Sequence, residues 1–419
     1  MLKTAPGSPP GRATPADLEG PCREARDQAR LGLYVHVPFC AVRCAYCDFS
    51  SGSLSAAKVE RYFEALEREV SRWAPAAQGR AFTSVFFGGG TPSALAARHF
   101  ARLWRLLEDH FEIASGAEVT LEANPESVRP ALLEAWAGAG VNRLSMGVQS
   151  FHPVELARLG RVHDAARPGQ AMALARAHGF RRVSLDLMFG FPGHTERSFG
   201  ETVEVALALE PEHLSAYAFI PEPGTPLGDA VHRREVPASP PELEADLYHG
   251  LTERLAAAGY GCYETSNFCR PNEECRHNLV YWLRREYVGL GPSAHGLWRG
   301  ARYGNRYAME AWADALANGR ECADFETESE RSSADEIVML GLRLSSGLDA
   351  RDHDDRLWRG VIGRYGAALA RAVASGRLEA TRFGFRIAAC HRFVADDVIA
   401  WLMASAERGH RGALGFDRS

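Results

Sequence analysis

The chain has 419 residues, 46% hydrophobic and 24% charged, enough apolar material for two or more buried cores, which excludes a disordered or collagen-like chain. Its 48 basic and 53 acidic residues give a formal charge of −5, so no basic field points to a nucleic-acid backbone or an anionic membrane. Nine cysteines, odd in number and unevenly spaced, speak against disulfide stapling and for metal or redox use in a reducing cytoplasm.

Residues 1–30 hold five prolines and mixed charges. The acids Asp17, Glu19, Glu24 and Asp27 argue against a transit peptide, and the segment reads as a disordered leader. No apolar run reaches the roughly 18–20 residues of a membrane span. From Leu31 onward, β-branched or aromatic runs alternate with helical patterns. The expected strands are Leu33–Val37, Phe82–Phe87, Glu118–Glu122, Arg143–Val148, Val183–Met188 and His213–Phe219. Between them lie amphipathic stretches such as Ala56–Trp73, where Val59, Tyr62, Phe63, Leu66 and Val70 recur at helical spacing. Six such alternations argue for parallel βαβ units in an open or closed barrel, whose chemistry sits at the C-terminal ends of the strands.

The first strand runs into Cys40-Ala-Val-Arg-Cys44-Ala-Tyr-Cys47. Three thiolates within eight residues can wrap one soft metal centre, either zinc or an iron–sulfur cluster. A structural zinc site closes with four ligands, and His36, four residues before Cys40, is a candidate fourth. A four-iron cluster held by three cysteines leaves one iron open. A loop of free thiols is the plain alternative. The second strand ends in Phe86-Phe87-Gly88-Gly89-Gly90-Thr91-Pro92, where bare backbone can approach a ligand closely and aim amides or carbonyls at it. The third, fourth and fifth strands end in Leu121-Glu122-Ala123-Asn124-Pro125, Gly147-Val148-Gln149-Ser150-Phe151 and Asp186-Leu187-Met188-Phe189-Gly190-Phe191-Pro192-Gly193. Glu122 and Asp186 suit a ligand bearing cationic groups and hydroxyls, although strand-end carboxylates also serve as salt bridges or caps. Phe39, Tyr46 and Phe49 form an aromatic fringe, while Phe86 and Phe87 read as barrel core.

A second domain is expected from Tyr260, after the helical Pro241–Ala258. It combines the strand-like Tyr260–Glu264, helices around Ala308–Ala317, Ser333–Leu344 and Val361–Ser375, a β-like Leu378–Ile387 and a last helix Ala395–Ala404. Arg377, Arg382, Arg386 and Arg392 are too few for a nucleic-acid face. In Cys275-Arg-His277-Asn278, thiolate and imidazole are the usual heme ligands, and Tyr281 and Trp282 offer stacking surfaces. The same residues also read as a hydrogen-bonded core hub. Cys262, Cys269 and Cys275 lack cluster spacing, Cys22, Cys322 and Cys390 look isolated, and His295 lies in a Gly-rich turn expected to face the barrel mouth.

The CxxxCxxC spacing resembles the signature of the radical S-adenosylmethionine (radical SAM) superfamily. Together with the strand-end motifs, His277-Asn278-Leu-Val-Tyr281-Trp282 and Gly289-Leu-Gly291-Pro-Ser-Ala-His295-Gly296, it is similar to the oxygen-independent coproporphyrinogen dehydrogenase family and, within it, to HemW-type heme chaperones. The resemblance implies a partial (β/α)6 barrel over 31–259 and a smaller C-terminal α+β, winged-helix-like domain over 260–419. It implies a 4Fe-4S cluster on Cys40, Cys44 and Cys47. It also carries S-adenosylmethionine contacts onto Tyr34, Tyr46, Gly89, Gly90, Thr91, Glu122, Gln149, Arg161, Asp186 and Ala218. The dehydrogenases resemble CxxxCxxCxC, and here the fourth cysteine position is Phe49. That departure favours the chaperone branch, which implies heme as ligand, heme-accepting apoproteins as partners and an electron donor. An active dehydrogenase and a zinc-binding module without redox role remain the alternatives.

Overall fold

The structure, a computed structural model, describes residues 30–327 and 329–414, so nearly all of the expected leader lies outside the described residues. Six strands carry the barrel: β1 (Gly32–Val37), β2 (Phe82–Gly89), β3 (Ile113–Ala123), β4 (Arg143–Gln149), β5 (Arg182–Phe189) and β6 (His213–Ala218). Each pairs in parallel with the next. Leu33, Val35, Val85, Phe87, Leu121, Leu144 and Leu185 are completely buried, as expected for parallel strands covered on both faces. The helix Ala56–Ala77 starts where Ser55 accepts a hydrogen bond from Lys58 N, and it buries Val59, Tyr62, Phe63, Leu66 and Val70. A cap of this kind contributes about 1 kcal/mol. The register sets Tyr34 beside Phe86 and His36 beside Gly88, which brings the strand ends to one level.

The sheet does not stop at residue 259. It continues through β7 (Gly261–Glu264), β8 (Asn267–Cys269), β9 (Tyr287–Leu290), β10 (His295–Trp298), β11 (Ala301–Asn305) and β12 (Ala323–Thr327). The order across the sheet is β12-β11-β10-β9-β1-β2-β3-β4-β5-β6-β8-β7. The result is a partial (β/α)6 barrel with additional strands at both edges, β9 parallel to β1 and the others antiparallel to their neighbours. The chain accordingly parts into two compact units at Ser329, and not at 259/260 as the loss of strand–helix alternation suggests. The reason is backbone pairing: β8 bonds to β6 and β9 bonds to β1.

The second unit is a small α+β, winged-helix-like domain. Its helices are Glu330–Gly341, Asp355–Ala374 and Ala395–Leu414, and Leu348–Asp349, Leu378–Ala380 and Gly384–Ile387 form a three-stranded antiparallel sheet. Its own core includes Ile337, Val338, Val361, Tyr365, Leu369 and Leu402. Arg377 lies over the Trp401 ring, Arg382 over Phe383, and Arg386 pairs with Glu379. Among the described residues no helix is long and apolar enough to cross a membrane.

Candidate cofactor and cluster site

A cavity of about 680 Å³ opens at the C-terminal ends of the barrel strands. All the residues expected to hold the cluster or S-adenosylmethionine line it: Cys40, Cys44, Cys47, Tyr34, Tyr46, Gly89, Gly90, Thr91, Glu122, Gln149, Arg161, Asp186 and Ala218. The glycine run makes this convergence possible. Gly89 has φ +109, and a Cβ there would meet His36 Cε1 at 2.6 Å; one on Gly90 would meet Phe39 O at 2.8 Å. Gly90 N and Thr91 N donate to Val37 O and Phe39 O at 2.9 and 2.7 Å, tying this loop to the chain just before Cys40. Cys40 Sγ then lies 3.4 Å from Thr91 Oγ1.

On β4 the alternation of side chains puts Arg143, Ser145, Gly147 and Gln149 on the cavity wall. The register shifts between Gly147 and Gln149, and Gln149 takes φ +68, a bulge that re-aims the last side chain of the strand. Arg161 is held in place by three hydrogen bonds. Its Nη1 donates to Cys44 Sγ at 3.2 Å, and its Nη2 donates to Asn124 Oδ1 and Gly147 O at 2.8 and 2.6 Å.

Two acids of the cavity, Glu122 and Asp186, are biased toward their neutral forms. Burial, followed by repulsion from Asp186, pushes Glu122 up to about 8, although Gly89 N donates to its Oε2 at 3.2 Å. Burial also raises Asp186, against hydrogen bonds from Ser215 and Ser145. Burial pushes the Cys47 thiol up to about 11. Burial works against the charge of Arg143 too, but Cys275 and Glu118 hold its pKa above the ordinary value. A cation entering the cavity would therefore find two carboxyl groups whose ionisation it favours.

Among the described residues no three His, Cys, Asp or Glu side chains converge tightly enough to hold a single metal ion. His36 does not complete such a site, because its Nε2 bonds Ser50 O at 2.8 Å and its Nδ1 meets Tyr34 OH at 3.1 Å. Three thiols around an open, half-buried space fit the larger body of a four-iron cluster, with thiolate ligands of the type such clusters take.

The structure does not bring His277 and Cys275 to the cavity. His277 is completely buried, with Nδ1 bonded to Ser84 Oγ at 2.9 Å, Nε2 to Tyr281 OH at 2.7 Å and its ring stacked on Phe86. Burial lowers its pKa to about 3. Cys275 is equally buried, 3.5 Å from Glu118 Oε1, and burial pushes its thiol up to about 12. These residues form the core hub, and no axial position is open on either. His295 begins β10 and does not line the cavity, and Phe39 packs edge-on against Tyr62 in the interior. Phe87 is core as expected, whereas Phe86 lines the cavity beside Tyr34. Sequence reading missed Arg143, Ser145, Asn124 and Tyr217 as lining residues. Counting back by twos from Gln149 would have found the first two.

Residues 34–206 match the model of the Radical SAM superfamily. The chain is 40% identical over 322 residues to the heme chaperone HemW of Mycobacterium tuberculosis (strain ATCC 25618 / H37Rv), covering 76% of this chain and 83% of the relative. It is 33% identical over 348 residues to the heme chaperone HemW of Bacillus subtilis (strain 168), covering 83% and 92%. Among solved structures it resembles coproporphyrinogen III oxidase (HemN) from Escherichia coli, described as a radical SAM enzyme. The TM-score is 0.76 at 24% identity over 90% of this chain and 91% of that one, a likeness of fold.

Proposed function

The chain belongs to the HemW family of radical SAM proteins, and from that premise we propose that it is a heme chaperone. In this reading it binds heme and passes it to acceptor proteins, and it carries a 4Fe-4S cluster and S-adenosylmethionine. The observation that carries the proposal is the convergence of Cys40, Cys44 and Cys47 with the strand-end residues on one cavity. Cys40, Cys44 and Cys47 would hold the cluster. Tyr34, Tyr46, Gly89, Gly90, Thr91, Glu122, Gln149, Arg161, Asp186 and Ala218 would hold S-adenosylmethionine. When bound, this pair supplies one-electron chemistry at the sulfonium. The chain's own part is positional and electrostatic. Arg161 keeps a positive charge against Cys44 Sγ, Gly89 and Gly90 leave room for close backbone approach, and Glu122 and Asp186 would release their protons to solvent and face a bound cation as carboxylates.

Phe49, two residues after Cys47, favours the chaperone over the dehydrogenase reading, because a thiol is the expected residue there in a dehydrogenase. Anaerobically reconstituted protein should take up iron and sulfide, give a Soret band on hemin titration, and leave coproporphyrinogen unchanged. Formation of protoporphyrinogen would overturn the chaperone assignment, and colourless, zinc-loaded protein would overturn the cluster. Cys44→Ala should lose the cluster iron while its circular dichroism and melting stay those of the parent, since the loop lies outside the barrel core.

A further inference from the structure

We propose that Tyr307 is a positioning residue for the cluster site, a latch on the protein surface that grips the chain just after Cys47 and holds the third thiol in place. The inference rests on the assignment of Cys40, Cys44 and Cys47 to the cluster. The ends of their loop are closed by a short parallel pairing, Phe39 with Gly52 and Cys40 with Ser53, and Gly52 N donates to Pro38 O at 2.9 Å. A loop with neighbouring ends and no regular structure between them takes its shape from side-chain contacts. Its middle is seated on the barrel: Ala45 N donates to Leu159 O at 3.0 Å, and Leu227 N donates to Ala45 O at 2.8 Å. Its first limb meets Thr91 through Cys40. The limb that follows Cys47 is gripped from the sheet extension beyond residue 259.

Tyr307 takes hold of this limb twice. Its hydroxyl donates to Asp48 O at 2.8 Å, and its own carbonyl oxygen accepts from Ser50 Oγ at 2.7 Å, both within the ordinary range for such bonds. Ser50 O is bonded in turn by His36 Nε2 at 2.8 Å. A carbonyl only accepts, so Nε2 carries the proton and Nδ1 receives the Tyr34 hydroxyl at 3.1 Å. Hydrogen bonds of fixed direction thus run from the limb after the third thiol to Tyr34, a residue read as holding S-adenosylmethionine. The base of the latch is rigid. Arg306 N donates to Cys322 O and Ser293 N to Arg306 O, both at 2.9 Å, and Asn305 Nδ2 bonds the buried Glu69 and Gly291 O at 2.6 and 2.7 Å. The ring end differs, because Tyr307 is 60% exposed. A hydroxyl–carbonyl bond within reach of water adds little net free energy, so this contact opens before anything in the barrel does. A grip of that strength sets how easily the limb after Cys47 lifts, and its loss leaves the fold intact.

The test uses the full chain with its cluster reconstituted and follows the release of iron to a ferrous chelator without oxygen, with melting and amide hydrogen exchange measured on the same samples. Tyr307→Phe keeps the ring and removes only the hydroxyl. It should take up iron and sulfide as the parent does, melt with the parent, and release iron roughly threefold to tenfold faster, the factor one net hydrogen bond carries. Exchange should quicken in residues 47–51 and stay unchanged in the barrel strands. Ser50→Ala removes the reciprocal bond and should speed release by a similar factor, while Phe325→Leu, at another exposed aromatic of the sheet extension, should behave as the parent. The latch is wrong if Tyr307→Phe releases iron at the parent rate, if its release rises only together with a fall in melting temperature, or if exchange quickens in the strands as much as in the limb. A parent protein that takes up no iron fails the cluster reading itself, a separate outcome.

Discussion

Glu122 is walled off from water and faces Asp186, and both effects push its carboxyl up to about 8. In the unfolded chain the same group titrates near about 4.3. As pH rises between these values the unfolded state gives up a proton that the fold retains, so this residue lowers stability with rising pH. A cationic ligand reverses the preference and must expel the proton to gain the carboxylate. The affinity for S-adenosylmethionine should therefore climb with pH toward about 8 and then level off. Glu122→Gln should bind more weakly and lose the part of the profile that rises toward about 8, leaving only the contribution of Asp186. Calorimetric titration across pH checks this, and a flat parent profile would contradict it. The place of Glu122 and Asp186 at the cavity was legible in the sequence, because both stand in motifs at the ends of expected strands. His277 was not, because its role depends on what encloses it: Ser84, Phe86 and Tyr281 take its ring, and no spacing along the chain reports that.

At the scale of the element, the Gly88–Gly90 tail of β2 sets the spacing between the cysteine loop and the strand ends. A Cβ on Gly90 would lie 2.8 Å from Phe39 O and 3.0 Å from Phe39 N, backbone atoms that cannot rotate away. Gly90→Ala should therefore shift the loop and reduce S-adenosylmethionine affinity by on the order of tenfold, matching an overpacking cost of about 1–3 kcal/mol. Gly138, with nothing within 4 Å of the same position, is the control, and Gly138→Ala should bind as the parent. Equal affinities for both variants would remove the tail from the site. The six barrel strands were readable from their β-branched and aromatic runs. β10 to β12 were not, because Ala301–Asn305 carries glycine and arginine and becomes a strand through the partners on either side of it.

For the whole molecule, the division at Ser329 can be tested by shortening the chain. A chain ending after residue 328 retains the entire twelve-stranded sheet and should fold and take up the cluster. A chain ending after residue 259 loses β9, which pairs with β1, and loses Gly291 and Asn305, which bond the buried Glu69 at 2.7 and 2.6 Å. Leaving a buried carboxyl without its hydrogen-bond donors costs about 1–3 kcal/mol, in addition to the lost pairing of β1, so this shorter chain should be insoluble or open to protease. Survival of the 259 fragment would restore the earlier boundary. Helix and strand periodicity marked where regular alternation ended, but the end of the sheet is a matter of which backbones pair.

The order of that sheet leaves β12 at one margin and the four-residue β7 at the other. In β12 the exposed Asp324 and Glu326 flank Phe325. A second copy adding itself antiparallel about Phe325 would set Asp324 of one chain against Glu326 of the other. Like charges facing across a strand pair are unfavourable. The margin thus ends the sheet electrostatically, so a large unclosed sheet resists propagating into a fibril.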